Sequence, residues 1–104
     1  MNREIKFRIY SPASEKMSHP FYLNQQMGIN SDSIIMQYTG IKDKNGKEIY
    51  EGDLNKDKGV VIWNESDASF CWDYKGVEVM PMGEENEWCE VIGNIYENSE
   101  LIKQ

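Results

Sequence analysis

The chain has 104 residues, 39% hydrophobic and 28% charged, the proportions of one globular domain over residues 1–104 rather than of a disordered polymer. Its formal net charge of −7 divides unevenly, +1 over residues 1–58 and −8 over residues 59–104; an acidic half is a poor general surface for nucleic acid, whose binding rests on cations that neutralise phosphates. No apolar run approaches the roughly 20 residues of a membrane-spanning helix, and Met1-Asn2-Arg3-Glu4-Ile5-Lys6 lacks the apolar block of a secretory signal, so a cytoplasmic protein is expected.

The first element alternates. Ile5, Phe7 and Ile9 fall on one face and Lys6, Arg8 and Tyr10 on the other, the period of a half-buried strand. Ser11 to Asn30, with Pro12, Pro20 and Gly28, sustains no period and reads as a long loop, pinned to the core at Phe21-Tyr22-Leu23 or forming a short strand there.

The clearest local structure runs from Ile34 to Asp53. Asn45-Gly46 is a strong hairpin signal. A two-residue loop would oppose Lys44 to Lys47 and Asp43 to Glu48, and like charges directly opposed are unfavourable. A three-residue loop, Lys44-Asn45-Gly46, instead opposes Asp43 to Lys47, Lys42 to Glu48 and Ile41 to Ile49. Asp43 then opens a type I turn and Gly46 takes the left-handed position after it.

Four further strands are expected. Gly59 to Trp63 carries apolar residues on both faces, and Asn64-Glu65-Ser66-Asp67 is turn chemistry. Ser69 to Tyr74 places Phe70, Trp72 and Tyr74 on one face. Val77 to Met80 ends at Pro81, and Gly83 to Glu87 is an acidic loop. Trp88 to Tyr96 is the last strand, with a bulge or close backbone approach at Gly93. Asn98 to Ile102 begins like a capped helical turn. The fold expected is mainly β: a small antiparallel sheet or partly closed barrel or sandwich, with one long loop near the N-terminus and little helix.

Little in this chain resembles a catalytic constellation. Nucleophilic triads need a positioned base, usually histidine, and the one histidine, His19, sits beside Pro20 in the loop. Zinc needs three or four Cys, His or carboxylate ligands; Cys71 and Cys89 are widely spaced and read as reduced thiols. Asp43-Lys44-Asn45-Gly46 fails as a calcium loop, because Gly46 in the sixth position would put Ile41 first and Gly52 twelfth. Glu51 and Asp53 flank Gly52 as carboxylates of a turn rather than an acid–base pair. Trp63, Trp72 and Trp88 lie in expected strands, where aromatics serve the core. No cofactor is called for, and catalytic, metal and cofactor-binding residues are all expected to be absent.

Three stretches together carry a resemblance: Glu4-Ile5-Lys6-Phe7-Arg8, Met36 through Asp53, and Glu90-Val91-Ile92-Gly93-Asn94-Ile95-Tyr96-Glu97-Asn98. In this order the chain resembles the YopX family, small proteins encoded by phages and prophages of bacteria. It departs from the family pattern at Ile9-Tyr10-Ser11, at Leu54-Asn55 and at Ser99. The resemblance implies an origin and carries over no catalytic residue.

In the central motif the glycines serve backbone geometry and Ile41 and Ile49 pack, which leaves Gln37, Tyr38, Tyr50 and Glu51 to face either core or partner. With Glu84, Glu85 and Glu87 of the acidic loop they make up the candidate partner surface. The function expected is that of a non-enzymatic phage accessory protein in the bacterial host cell, binding an unknown protein or assembling with itself through exposed sheet edges. The alternative is a small β-barrel that binds nucleic acid through Lys42, Lys44, Lys47, Lys56 and Lys58 in region 42–58, against which Asp43, Glu48, Glu51, Asp53 and Asp57 are interleaved.

Overall fold

A computed structural model describes residues 5–22, 32–75, 79–82 and 89–101. The protein is mainly β, with one sheet curled into a half-barrel and a second sheet. The first sheet holds β1 (Lys6–Ser11), β2 (Lys16–Met17), β3 (Phe21–Tyr22), β4 (Ile34–Lys42) and β5 (Glu48–Tyr50), ordered β2-β1-β4-β5 with β3 also paired to β1. The second holds β6 (Asp53–Asn55), β7 (Val60–Asn64), β8 (Ser69–Asp73), β9 (Val79–Pro81) and β10 (Val91–Asn94), ordered β10-β6-β7-β8-β9. A 3-10 turn, Ser99–Leu101, follows. Among the described residues no helix is long and apolar enough to cross a membrane.

The core lies between the sheets. Ile49 of the first packs with Val61, Phe70, Trp72, Cys89 and Val91, and Ile41, Tyr74 and Met82 lie against this cluster. Trp72 is wholly buried, and burying a large apolar side chain stabilises a fold by about 1.5–3 kcal/mol. The chain crosses from one sheet to the other at Gly52, whose amide donates to the Val61 carbonyl (3.0 Å) and whose carbonyl accepts from Ile95 (2.9 Å). Its φ is +85°, and a Cβ there would meet the Tyr96 ring at 3.1 Å, so glycine suits this position on both counts.

The hairpin turn has the expected three-residue loop. Lys42 opposes Glu48, the Gly46 amide donates to the Asp43 carbonyl (3.0 Å), and Gly46 has φ +81°. Ile41 does not oppose Ile49. Between the pairs Tyr38–Tyr50 and Lys42–Glu48 the register shifts, because Thr39 turns its hydroxyl onto the β5 backbone, donating to the Ile49 carbonyl (2.9 Å) and accepting from the Ile41 amide (3.1 Å). A side chain that supplies a ladder bond lets β4 bulge.

Two other expectations need correction. Part of the long loop is structured: β3 is the short strand expected as one alternative at Phe21-Tyr22, β2 at Lys16–Met17 is unexpected, and both pair with β1, while Ser18 donates its amide to the Ile9 carbonyl and accepts the Ile9 amide on its hydroxyl. And Lys6, Arg8 and Tyr10 are not a solvent face; Tyr10 is buried and the two cations are largely enclosed. The bulge at Gly93 is present, between Val91 and Gly93, and the close approach is made by Asn98, whose Oδ1 would lie 2.4 Å from a Cβ at Gly93.

Candidate functional site

Gln37, Tyr38, Tyr50 and Glu51 are brought together at the base of the hairpin. Tyr38 and Tyr50 oppose each other across β4 and β5 with ring centroids 5.4 Å apart. The Gln37 amide donates to Glu51 Oε1 (2.8 Å), and the Glu51 amide donates to the Gln37 carbonyl (3.0 Å). Tyr38 and Tyr50 are only 5% and 3% exposed, so of the two directions open to them they take the core. Glu84, Glu85 and Glu87 lie outside the described residues.

The charged side of β1 covers these tyrosines. Lys6 Nζ sits 5.0 Å from the Tyr38 ring centroid and pairs with Glu48. The Arg8 guanidinium carbon sits 4.6 Å from the Tyr50 ring centroid, and Arg8 donates to Asp53 Oδ1 at 2.6 Å. Each cation thus has an aromatic face and a carboxylate, the two partners that make an enclosed charge tolerable. Asp53 accepts the Tyr50 amide on its other oxygen (2.8 Å). Burial pushes the Asp53 carboxyl above its ordinary range, with Arg8 and the Tyr50 amide opposing. Burial and then Glu48 push the Tyr50 phenol up, and its hydroxyl donates to Glu48 Oε1 (3.1 Å). Glu51 and Asp53 therefore serve different bonds.

Asp43 serves as a second buried junction. One oxygen accepts the Asn45 and Lys47 amides (2.9 Å each), and the other accepts the Val91 amide (3.0 Å). Burial raises its carboxyl, but these three donors together outweigh burial and hold it below the ordinary value. Nearby, burial and then Asp43, Asp53 and Asp57 push the Cys89 thiol up to about 11. Cys71 and Cys89 are both free and buried. His19 is exposed, and among the described residues no three His, Cys, Asp or Glu side chains converge as metal ligands.

A surface hollow that the sequence did not single out lies where the bulged hairpin meets the β7–β8 turn. It has a volume of about 250 Å³ and is lined by Thr39, Ile41, Trp63, Ala68, Ser69, Phe70 and Met82. Trp63 is 45% exposed and meets Phe70 edge-to-face, centroids 5.1 Å apart. The one sequence signal was position: Trp63 stands at the end of an apolar run, directly before a turn. Trp63, expected in the core, is thus half-exposed instead; Trp72 is in the core as expected, and Trp88 is outside the described residues.

Val91 bonds Asp43 of the hairpin and pairs with Asn55 of β6, which ties together the two lysine-bearing turns of region 42–58. Asn45 donates to Glu90 in this region (3.2 Å), and Asp57 stands between the two lysines of the β6–β7 turn.

The fold is shared with a solved protein: over 97% of this chain and 99% of that one, the crystal structure of protein EF1440 from Enterococcus faecalis superposes with a TM-score of 0.66 at 22% identity. No curated protein matches the chain. The family model described as YopX protein matches residues 3–103, taking in the β1 strand, the hairpin with its paired tyrosines and the Gly93 bulge; the chain belongs to the YopX family.

Proposed function

We propose that this protein is a phage or prophage accessory protein that acts in the cytoplasm of its bacterial host by binding another protein. The observation that carries this reading is the hollow at Trp63. A half-exposed tryptophan, braced edge-on by Phe70 and set beside Ile41 and Met82, has the composition of an interface hot spot, in which Trp is enriched. A volume of about 250 Å³ is below the roughly 300–1,000 Å³ of small-molecule pockets and suits a single inserted side chain. Gln37, Tyr38, Tyr50 and Glu51 belong to the same hairpin, whose Thr39 and Ile41 line the hollow.

The test is a tagged pull-down from phage-infected bacteria with and without nuclease, wild type beside Trp63→Ala. Protein retained after nuclease and lost in Trp63→Ala is the expected result. Retention indifferent to Trp63, or no retained protein, would overturn the reading.

A second reading, nucleic-acid binding through Lys42, Lys44, Lys47, Lys56 and Lys58, is favoured by the tie through Val91 between the hairpin and the β6–β7 turn that carry them, which suits a phosphate backbone. It predicts retained nucleic acid that nuclease removes and an affinity falling steeply with salt. Labelled DNA and RNA that pass through unretained at low salt would dismiss it.

A further inference from the structure

Given that the Trp63 hollow is a protein-binding site, we infer the chemistry of its partner: an extended segment that inserts one aliphatic side chain and carries lysine or arginine on the flanks. The inference rests on that reading and adds the charge. Most of the lining side chains are apolar, Ile41, Trp63, Phe70, Ala68 and Met82, and the hydroxyl residues Thr39 and Ser69 add polar surface between them. Thr39 already spends its hydroxyl on the Ile49 carbonyl and the Ile41 amide. An aliphatic group meets five apolar side chains there and gives up no hydrogen bond to water on entering.

Charge complementarity sets the flanks. The turn at the rim carries Glu65 and Asp67, both exposed. Asp67 is next in sequence to Ala68, which lines the hollow. Glu65 is held beside it as well, because its carbonyl accepts the Ala68 amide (3.3 Å). Asn64 fastens the same turn, accepting the Ser66 amide (3.0 Å) and reaching Asp67 (3.4 Å). The turn beside Ala68 thus presents two exposed carboxylates at the rim.

The experiment titrates the 15N-labelled full chain with a capped Ser-Lys-Leu-Lys-Ser peptide, following the Trp63 indole N–H, identified by its loss in Trp63→Phe. Two further peptides replace leucine by alanine and both lysines by glutamate. The expected result is a Trp63 shift with the first peptide, an affinity lower by about tenfold or more without the leucine, and about two- to fivefold weaker binding for each lysine changed to glutamate. Glu65→Gln with Asp67→Asn should abolish the preference between lysine and glutamate peptides while leaving the leucine preference. Equal binding of the lysine and glutamate peptides overturns the inference, as do shifts away from Trp63 or no shift at millimolar peptide. Shifts that grow with protein concentration alone would instead assign the hollow to a second copy of this chain, overturning it too. If the pull-down still depends on Trp63 in those cases, the protein-binding reading stands and only its charge assignment falls.

Discussion

Arg8, in the first strand, and Asp53, at the head of β6, meet at 2.6 Å and join one sheet to the other. The pair is enclosed, with side-chain exposures of 12% and 2%, and among the described residues the Arg8 Nε is a buried donor with no partner. Removing one member of such a pair strands the other. Arg8→Met and Asp53→Asn should each lower unfolding stability by about 3–5 kcal/mol. In urea titrations the double variant should lose clearly less than the two losses added together. Additive losses would mean that the two residues act independently.

Asp43 supports acid-sensitive stability. Its folded pKa lies below the ordinary 3.8, so its contribution is fully present above that value and is lost as pH falls through the folded one. Asp43→Asn keeps one acceptor but turns an amide toward the Val91 N–H. It should lose about 1–3 kcal/mol near neutrality, and the difference from wild type should shrink as the pH drops below the ordinary carboxylate range. Chemical denaturation at a series of pH values measures both. A gap that stays constant to the lowest pH would assign the acid loss elsewhere.

Gly93→Ala should destabilise through crowding, since the new methyl group would fall 2.4 Å from Asn98 Oδ1. Overpacking of this kind costs about 1–3 kcal/mol. Asn98 also accepts the Asn94 amide (3.1 Å), so Asn98→Ala alone is destabilising. Combined with Gly93→Ala it should lose less than the sum, read from thermal midpoints.

The two thiols are shielded by packing. Both are buried, and Cys89 ionises only near pH 11. The thiolate is the reactive form, so at pH 8 the native protein should react slowly with a disulfide reagent and release two equivalents once unfolded. Rapid native labelling would show that the core around Cys89 opens readily.

Where local chemistry decides, the sequence was readable. The Asn45-Gly46 turn, the Phe70–Trp72 strand and the Gly93 bulge follow from backbone preference and alternation. The inward turn of Lys6 and Arg8 was not legible, because period-two patterning treats a cation as solvent-facing and cannot see Tyr38, Tyr50, Glu48 and Asp53 waiting for it. The Thr39 bulge escaped for a related reason: a hydroxyl that replaces a ladder bond looks like any other threonine on a strand. β2 and β3 are two residues each, too short to show a period. The hollow at Trp63 is assembled from four separate stretches of chain, and no single one of them announces it.

The Arg8–Asp53 junction also imposes an order on synthesis. The two residues are 45 positions apart, and β1 emerges from the ribosome long before its carboxylate partner exists. Until Asp53 has been made, Arg8 lacks the carboxylate it pairs with in the folded protein, and its charge gains most by staying in water. The first strand translated can therefore settle fully only after half the chain has followed it, so the N-terminal sheet is completed by the arrival of the C-terminal one.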